Sequence, residues 1–227
     1  FYGNRSTSDK SHWIGSGGAL YIAGGVTTNC VFRGNYTRCF GGAIYAYGGL
    51  VTDCVVTNNS IERHYGFNIC INGGTVRGCD VADGRQTSPS NPGGGVCVVR
   101  GVLEQSRVRG NVTSGSAAGV ALVKVPAGIT PNASVTTQIV QNCVIYGNAA
   151  GANGAGVWMD SGCLANCTVS GNTCAIGSGA GVYQTGGAVI NSIVFNNNFD
   201  NIFTSGGTVI HTCSDAAVAG VGNIAAN

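Results

Sequence analysis

The sequence is short of charge. Only 9% of its 227 residues are Asp, Glu, Lys or Arg, against about a quarter in ordinary soluble domains. A formal net charge of +2 is too small to point to nucleic acid as a partner. Only four prolines are present, which argues against a linker-rich chain. No run of about 20 apolar residues occurs, so no segment is expected to enter a bilayer as a helix. No stretch keeps the apolar period of a helix. The glycine-rich segments lack the closing Lys of a phosphate-binding loop, which excludes that route to nucleotides. No Cys-x-x-Cys pair or His partner accompanies the cysteines, so neither a metal nor a cofactor is expected.

What is present is glycine, at 39 residues, and an apolar fraction of 44%. That much apolar content is not a disordered composition, and glycine without a three-residue period is not collagen. The glycines mark a repeat. Its clearest copies are Gly17-Gly18-Ala19-Leu20-Tyr21 and Gly41-Gly42-Ala43-Ile44-Tyr45; weaker ones begin at Gly66, Gly93, Ala118, Gly154 and Gly179. Successive copies lie about 24 or 25 residues apart, with one interval of about 27 and one of about 36. Each copy runs to a second glycine pair, such as Gly24-Gly25, Gly48-Gly49 or Gly186-Gly187, and then to an apolar-Cys-apolar segment ending in Asn. Asn29-Cys30-Val31-Phe32-Arg33-Gly34-Asn35 and Asn166-Cys167-Thr168-Val169-Ser170-Gly171-Asn172 are examples.

Within a unit the apolar residues alternate, which is strand spacing, and glycine supplies the positive φ that tight corners need. The expected structure is all-β: a single-stranded right-handed parallel β-helix of about eight coils of roughly 25 residues, with three short strands per unit. One domain is expected over 1–227, with an inserted loop over 123–135 and a smaller bulge over 85–92. Stacking places like residues in inward columns. One column reads Leu20, Ile44, Ile69, Val96, Val120, Val157, Val182; the next Thr27, Val51, Val76, Leu103, Val140, Leu164, Val189; the third Phe32, Val56, Val81, Val108, Ile145, Val169, Val194. Burial along such columns, at about 25 cal/mol per Å², is the expected source of stability.

Two further columns read as structural ladders. Cys30, Cys54, Cys79, Cys143 and Cys167 share one repeat position, where Ser106 and Ser192 also occur. Neighbouring rungs of a parallel sheet lie about 4.8 Å apart, but in-register side chains rarely offer the disulfide torsion, so this column is expected to be buried and reduced. Cys163 with Cys174 is the one pair expected to be able to bridge within a coil. Asn35, Asn59, Asn111, Asn148, Asn172 and Asn197 form the second ladder, each amide bonding its neighbours. Several ladder residues sit in glycan-acceptor triplets, such as Asn35-Tyr36-Thr37, but ladder burial makes them poor acceptors.

For function, the candidates are few. Tyr21, Tyr45, Trp158, Tyr183 and Phe203 form an aromatic stripe, interrupted by Cys70, Cys97 and Ala121. Each lies between two inward residues and is expected to face solvent, where rings could meet sugars or another protein. The nine acidic residues do not recur at matching positions. Asp80 with Asp83, near Arg107 and Arg109 of the next unit, is the closest grouping a polysaccharide lyase or hydrolase could use. Asp9, Asp160 and Asp200 and the three histidines His12, His64 and His211 occupy unrelated places. No catalytic residue is assigned.

The Gly-Gly-Ala-Leu and Gly-Gly-Ala-Ile runs at 17–20 and 41–44, alternating with Phe32-Arg33-Gly34-Asn35, resemble the GGAI and FxxN repeats of chlamydial polymorphic outer-membrane proteins. Later copies carry Val56, Val108, Ile145 and Val169 in place of Phe, while Asn stays. More broadly the chain resembles the pectate-lyase-like β-helix superfamily of bacterial secreted and surface proteins, over nearly its whole length. The resemblance implies a passenger or stalk domain outside the cell, often adhesive; with the scattered acidic residues and the aromatic stripe, the expected protein is a non-catalytic structural or adhesive domain at the cell surface or outside the cell, a segment of a longer protein, with glycans or other surface proteins as partners. Self-association into an extracellular filament and a carbohydrate-active enzyme are the alternatives.

Overall fold

The computed structural model describes residues 1–7, 17–88, 92–126 and 129–226. Asp9, His12, the tip of the 85–92 bulge and Gly128 of the inserted loop lie outside the described residues. Among the described residues all regular structure is strand, without helix, and the strands form three sheets of fourteen, nine and seven members. Every named pairing is parallel, as between Leu20–Ile22 and Ile44–Ala46 or Val31–Arg33 and Val55–Thr57. The chain visits the sheets cyclically, which fits a stacked parallel solenoid.

The first, second, fifth and sixth units each supply four strands, one more than the repeat suggested. The unit opened by Leu20–Ile22 continues through Val26–Thr28 and Val31–Arg33 to Tyr36–Thr37. The fourth strand has two residues, too few to show alternation in a sequence. Four strands nevertheless make three sheets because Ile69–Arg77 and Val96–Glu104 run unbroken through the first corner. Each is nine residues long and pairs with first-position strands at one end and second-position strands at the other. Gly73 and Gly101, at φ 135° and 101°, carry them through a bend that a side-chain-bearing residue would resist.

The three apolar columns are in register. Leu20 pairs with Ile44, Ile44 with Ile69, and so on to Val182 and then Ile202. The second column runs on from Val189 to Val209 and the third from Val194 to Ser214. From Phe32, Val51 and Ile44 onward these side chains are almost wholly buried in one continuous core. Each unit turns twice on a residue in the left-handed region. One such residue precedes the Cys position, as Asn29, Asp53, Gly78, Gln105, Asn142 and Asn166 do, and the other precedes the Asn position, as Gly34, Asn58, Gly110, Gly147 and Gly171 do.

Candidate functional site

The asparagines form one unbroken row of amides. Asn4 Nδ2 donates to Asn35 Oδ1 at 2.9 Å, and Asn35 Nδ2 to Asn59 Oδ1 at 2.9 Å. At the far end Asn148 donates to Asn172, Asn172 to Asn197 and Asn197 to Asn201 in the same sense. Each oxygen also accepts a backbone N–H of the preceding rung, as from Asn35 to Asn59 at 2.8 Å and Asn172 to Asn197 at 2.9 Å. The second amide hydrogen goes to a backbone carbonyl, for Asn172 those of Ile145 and Ser170. A buried primary amide needs two donors and two acceptor sites filled, and from Asn35 to Asn197 these are filled, while the Nδ2 of Asn201 at the end of the row is buried without a partner.

Three members of the row were not read from the sequence. Asn4 and Asn201 lie at its ends. Asn68 is the informative one. The third unit has Gly84 at the ladder position, and Asn68, from another side of the stack, reaches in to receive from Asn59 at 2.8 Å and donate to Asn111 at 2.9 Å. A methyl at Gly84 would come within 2.5 Å of the Asn68 amide nitrogen, so Gly84 is the vacancy that Asn68 occupies. The same steric rule explains the glycine that stands just before the first apolar column in the later units. A methyl on Gly119, Gly156 or Gly181 would come within 2.9, 2.8 or 2.7 Å of the amide nitrogens of Asn148, Asn172 and Asn197.

The cysteine column is a row of short donors. The Cys54, Cys79, Cys143 and Cys167 thiols donate to the carbonyl two residues back at 3.1 to 3.2 Å. Ser106, Ser192 and, one rung further, Thr212 donate in the same way at 2.8, 2.9 and 3.1 Å. The corner therefore demands a small side chain with one hydrogen to give, which is why Cys and Ser interchange. Cys54, Cys79, Cys143 and Cys167 are buried; Cys30, on the end rung, is part-exposed. All eleven cysteines are free thiols. Cys163 and Cys174 stand on different sheets, in Cys163–Ala165 and Thr173–Cys174, and do not bridge. Burial pushes the Cys79 thiol up to about 12 and raises the Cys54 and Cys97 thiols as well.

The aromatic stripe is in register but does not face solvent throughout. Tyr21 pairs with Tyr45, Trp158 with Tyr183 and Tyr183 with Phe203. Tyr21 is 47% exposed, whereas Tyr45 is 3% exposed and Cys70, Cys97 and Ala121 are fully buried. Trp158, Tyr183 and Phe203 are half-buried. The cover over the middle is a second apolar cluster in which Phe40, Val99, Val123 and Ile129 pack over Tyr45 and the two cysteines. Its lid is the inserted loop, which returns onto the stack instead of projecting from it. Asn132 Nδ2 donates to the Tyr47 carbonyl at 2.7 Å, Asn72 Nδ2 to the Thr130 carbonyl and the Tyr45 hydroxyl at 2.9 and 2.8 Å, and Arg100 to the Asn132 and Val135 carbonyls at 2.9 and 3.0 Å. The rings also stack on each other, Tyr21 on Tyr45 at 5.7 Å and Tyr183 on Phe203 at 4.9 Å, within 10° of parallel. Each stacked ring spends a face on its neighbour, so sugar docking has faces to use only at the ends of each stack.

The acidic group divides. Asp80 receives a bidentate fork from Arg109, at 3.1 and 3.0 Å, with Arg107 at 3.7 Å. This pairing raises the Arg109 pKa. Asp83 turns to the Thr57 hydroxyl, which donates to it at 3.3 Å. Asp160 caps the start of the inserted loop by accepting the Lys124 N–H at 2.7 Å. The carboxylates thus serve separate structural contacts. Compared with protein-family models, curated proteins and solved structures, the chain matches none.

Proposed function

We propose that the chain is a single right-handed β-helix of about eight turns, serving as a non-catalytic structural or adhesive domain at the cell surface or outside the cell. Right-handedness follows from the strong preference of crossovers between parallel strands. The observation that carries the reading is the amide row. Its bonds run from Asn4 to Asn201, so the side chains that punctuate each turn are spent on joining one turn to the next. A molecule built this way is a stiff rod. Free thiols suit an external setting here because most are shut inside the stack, where oxidants do not reach them. Glycans or surface proteins are the partners this reading supplies, meeting the open ring faces at Tyr21 and Phe203.

The test combines shape with activity. Small-angle X-ray scattering should return a rod whose β-helical part is about 40 Å long, at about 4.8 Å per turn; a compact sphere would sink the reading. Incubation with a panel of polysaccharides, with and without Ca²⁺, should give no product. Cleavage that disappears in Asp80→Ala would make the protein a carbohydrate-active enzyme instead.

A further inference from the structure

In the three-residue strands of the nine-stranded sheet the middle residue points into the core, while the first and third point outward. The first residues stack into one outer column in register: Val31, Val55, Asp80, Arg107, Val144, Thr168. Val31, Val55 and Val144 are 39 to 42% exposed, more than a strand valine with a partner against it would be. The strands of this sheet carry only four charged residues, Arg33, Asp80, Arg107 and Arg109. Both insertions leave from other sides of the turn. The long loop joins two strands of the large sheet, and the bulge follows Arg85–Gln86 of the seven-stranded sheet.

The charges of this column are self-complementary. Asp80 and Arg107 are neighbours at its middle, with two uncharged rungs before them and two after. Lay a second copy face to face, turned end for end about a two-fold axis between those rungs. Asp80 then meets Arg107 at both crossings, Val55 meets Val144, and Val31 meets Thr168. Arg109 lies over Ala82 of the other copy, beside Asp83. A slip of one rung brings Asp80 onto Asp80 or Arg107 onto Arg107, and a parallel pair in register does both, at the cost of like-charge contact. Arg107 is available for the new contact: its side chain is 63% exposed and stands 3.7 Å from an Asp80 already forked by Arg109. A carboxylate has acceptor sites to spare beyond that fork.

We propose that two copies of this chain pair side by side and antiparallel through the outer face of the nine-stranded sheet, with Asp80 and Arg107 crossed at the centre. The contact is isologous and closed, so it stops at two. Six rungs at about 4.8 Å span about 29 Å. A face of that length and one strand wide buries about 500 Å² per copy, short of the roughly 800 Å² of a standard interface. The pair is therefore reversible, with a dissociation constant of about 10–100 µM.

Sedimentation velocity of the purified chain, from about 1 µM to about 500 µM, tests it. A monomer–dimer equilibrium without larger species is expected. Arg107→Glu sets carboxylates together at both crossings and should weaken pairing about tenfold or more. Asp80→Lys should do the same with cations, and an equimolar mixture of the two variants should pair again, since each then faces its opposite. Asp80 also holds Arg109, so Val144→Glu, which disturbs no ion pair, gives a second reading and should weaken pairing about tenfold. Orientation is read by copper-catalysed air oxidation, compared with the unaltered chain. Val55→Cys and Val144→Cys in one chain should yield a covalent dimer, and neither substitution alone should. Cross-linking through Val55→Cys alone would mean a parallel pair. That result, a monomer at every concentration, an open-ended series of oligomers, or pairing indifferent to Arg107→Glu would each overturn the proposal. None of them would touch the rod reading above, which scattering on the monomer tests separately.

Discussion

At the residue scale, the same corner chemistry has two tolerances. The cysteine position needs one small donor to a carbonyl two residues back, and Ser106 and Ser192 meet that need as well as Cys143 does. Cys143→Ser should therefore shift stability by less than about 1 kcal/mol. The asparagine position needs both a donor and an acceptor at fixed reach. Asn148→Ala strips partners from Asn111 on one side and Asn172 on the other, and should cost about 2–4 kcal/mol. Urea denaturation of the two variants measures both; equal effects would show that the row is not a stabilising element. The sequence displayed this ladder where its spacing was regular, but Asn68 was hidden because it stands just before Ile69–Arg77, at a different repeat position. Its only trace was Gly84, standing where an Asn was due.

At the scale of the element, the inserted loop shows where a one-dimensional reading stops. Its length placed it outside the repeat, and strand alternation placed Tyr45 on the outer surface. Neither fact tells whether a loop of that length projects or returns. It returns because the bare middle of the stripe, Tyr45 with Cys70, Cys97 and Ala121, is apolar surface that Val123 and Ile129 can cover, and because Asn72, Arg100 and Asn132 satisfy its backbone. Alkylation with iodoacetamide followed by mass spectrometry reads the lid directly. In the native protein Cys70 and Cys97 should resist labelling. Asn132→Ala, which loses the bond to the Tyr47 carbonyl, should raise their labelling rate about tenfold. Rapid labelling of both in the unaltered chain would show that the loop does not close over them.

At the scale of the whole molecule, three of the buried thiols act in the same direction. Their ordinary pKa is 9.0, and in the folded chain Cys54, Cys79 and Cys97 are raised above it by burial. Between the two values the unfolded chain has released protons that the folded chain keeps, so stability must fall as pH rises above about 9. Urea midpoints measured from about pH 7 to about pH 10.5 should decline at the alkaline end; a flat profile would show that the thiols ionise as easily inside as outside. The all-β class and the in-register columns were legible because the repeat is periodic. The fourth strand, the fused corners at Gly73 and Gly101 and the lid were not, since each belongs to a single unit or to a segment too short to carry a pattern.

The amide row has one more consequence. A backbone N–H can face an oxygen but not an NH₂, and the N–H groups of Asn35, Asn111, Asn148 and Asn172 each point at the next oxygen in line. No amide can invert by itself, so their dipoles add head to tail, as peptide dipoles do along a helix. The row is an internal electric axis, and because no member of it titrates, acid or alkali cannot switch it off while the fold survives.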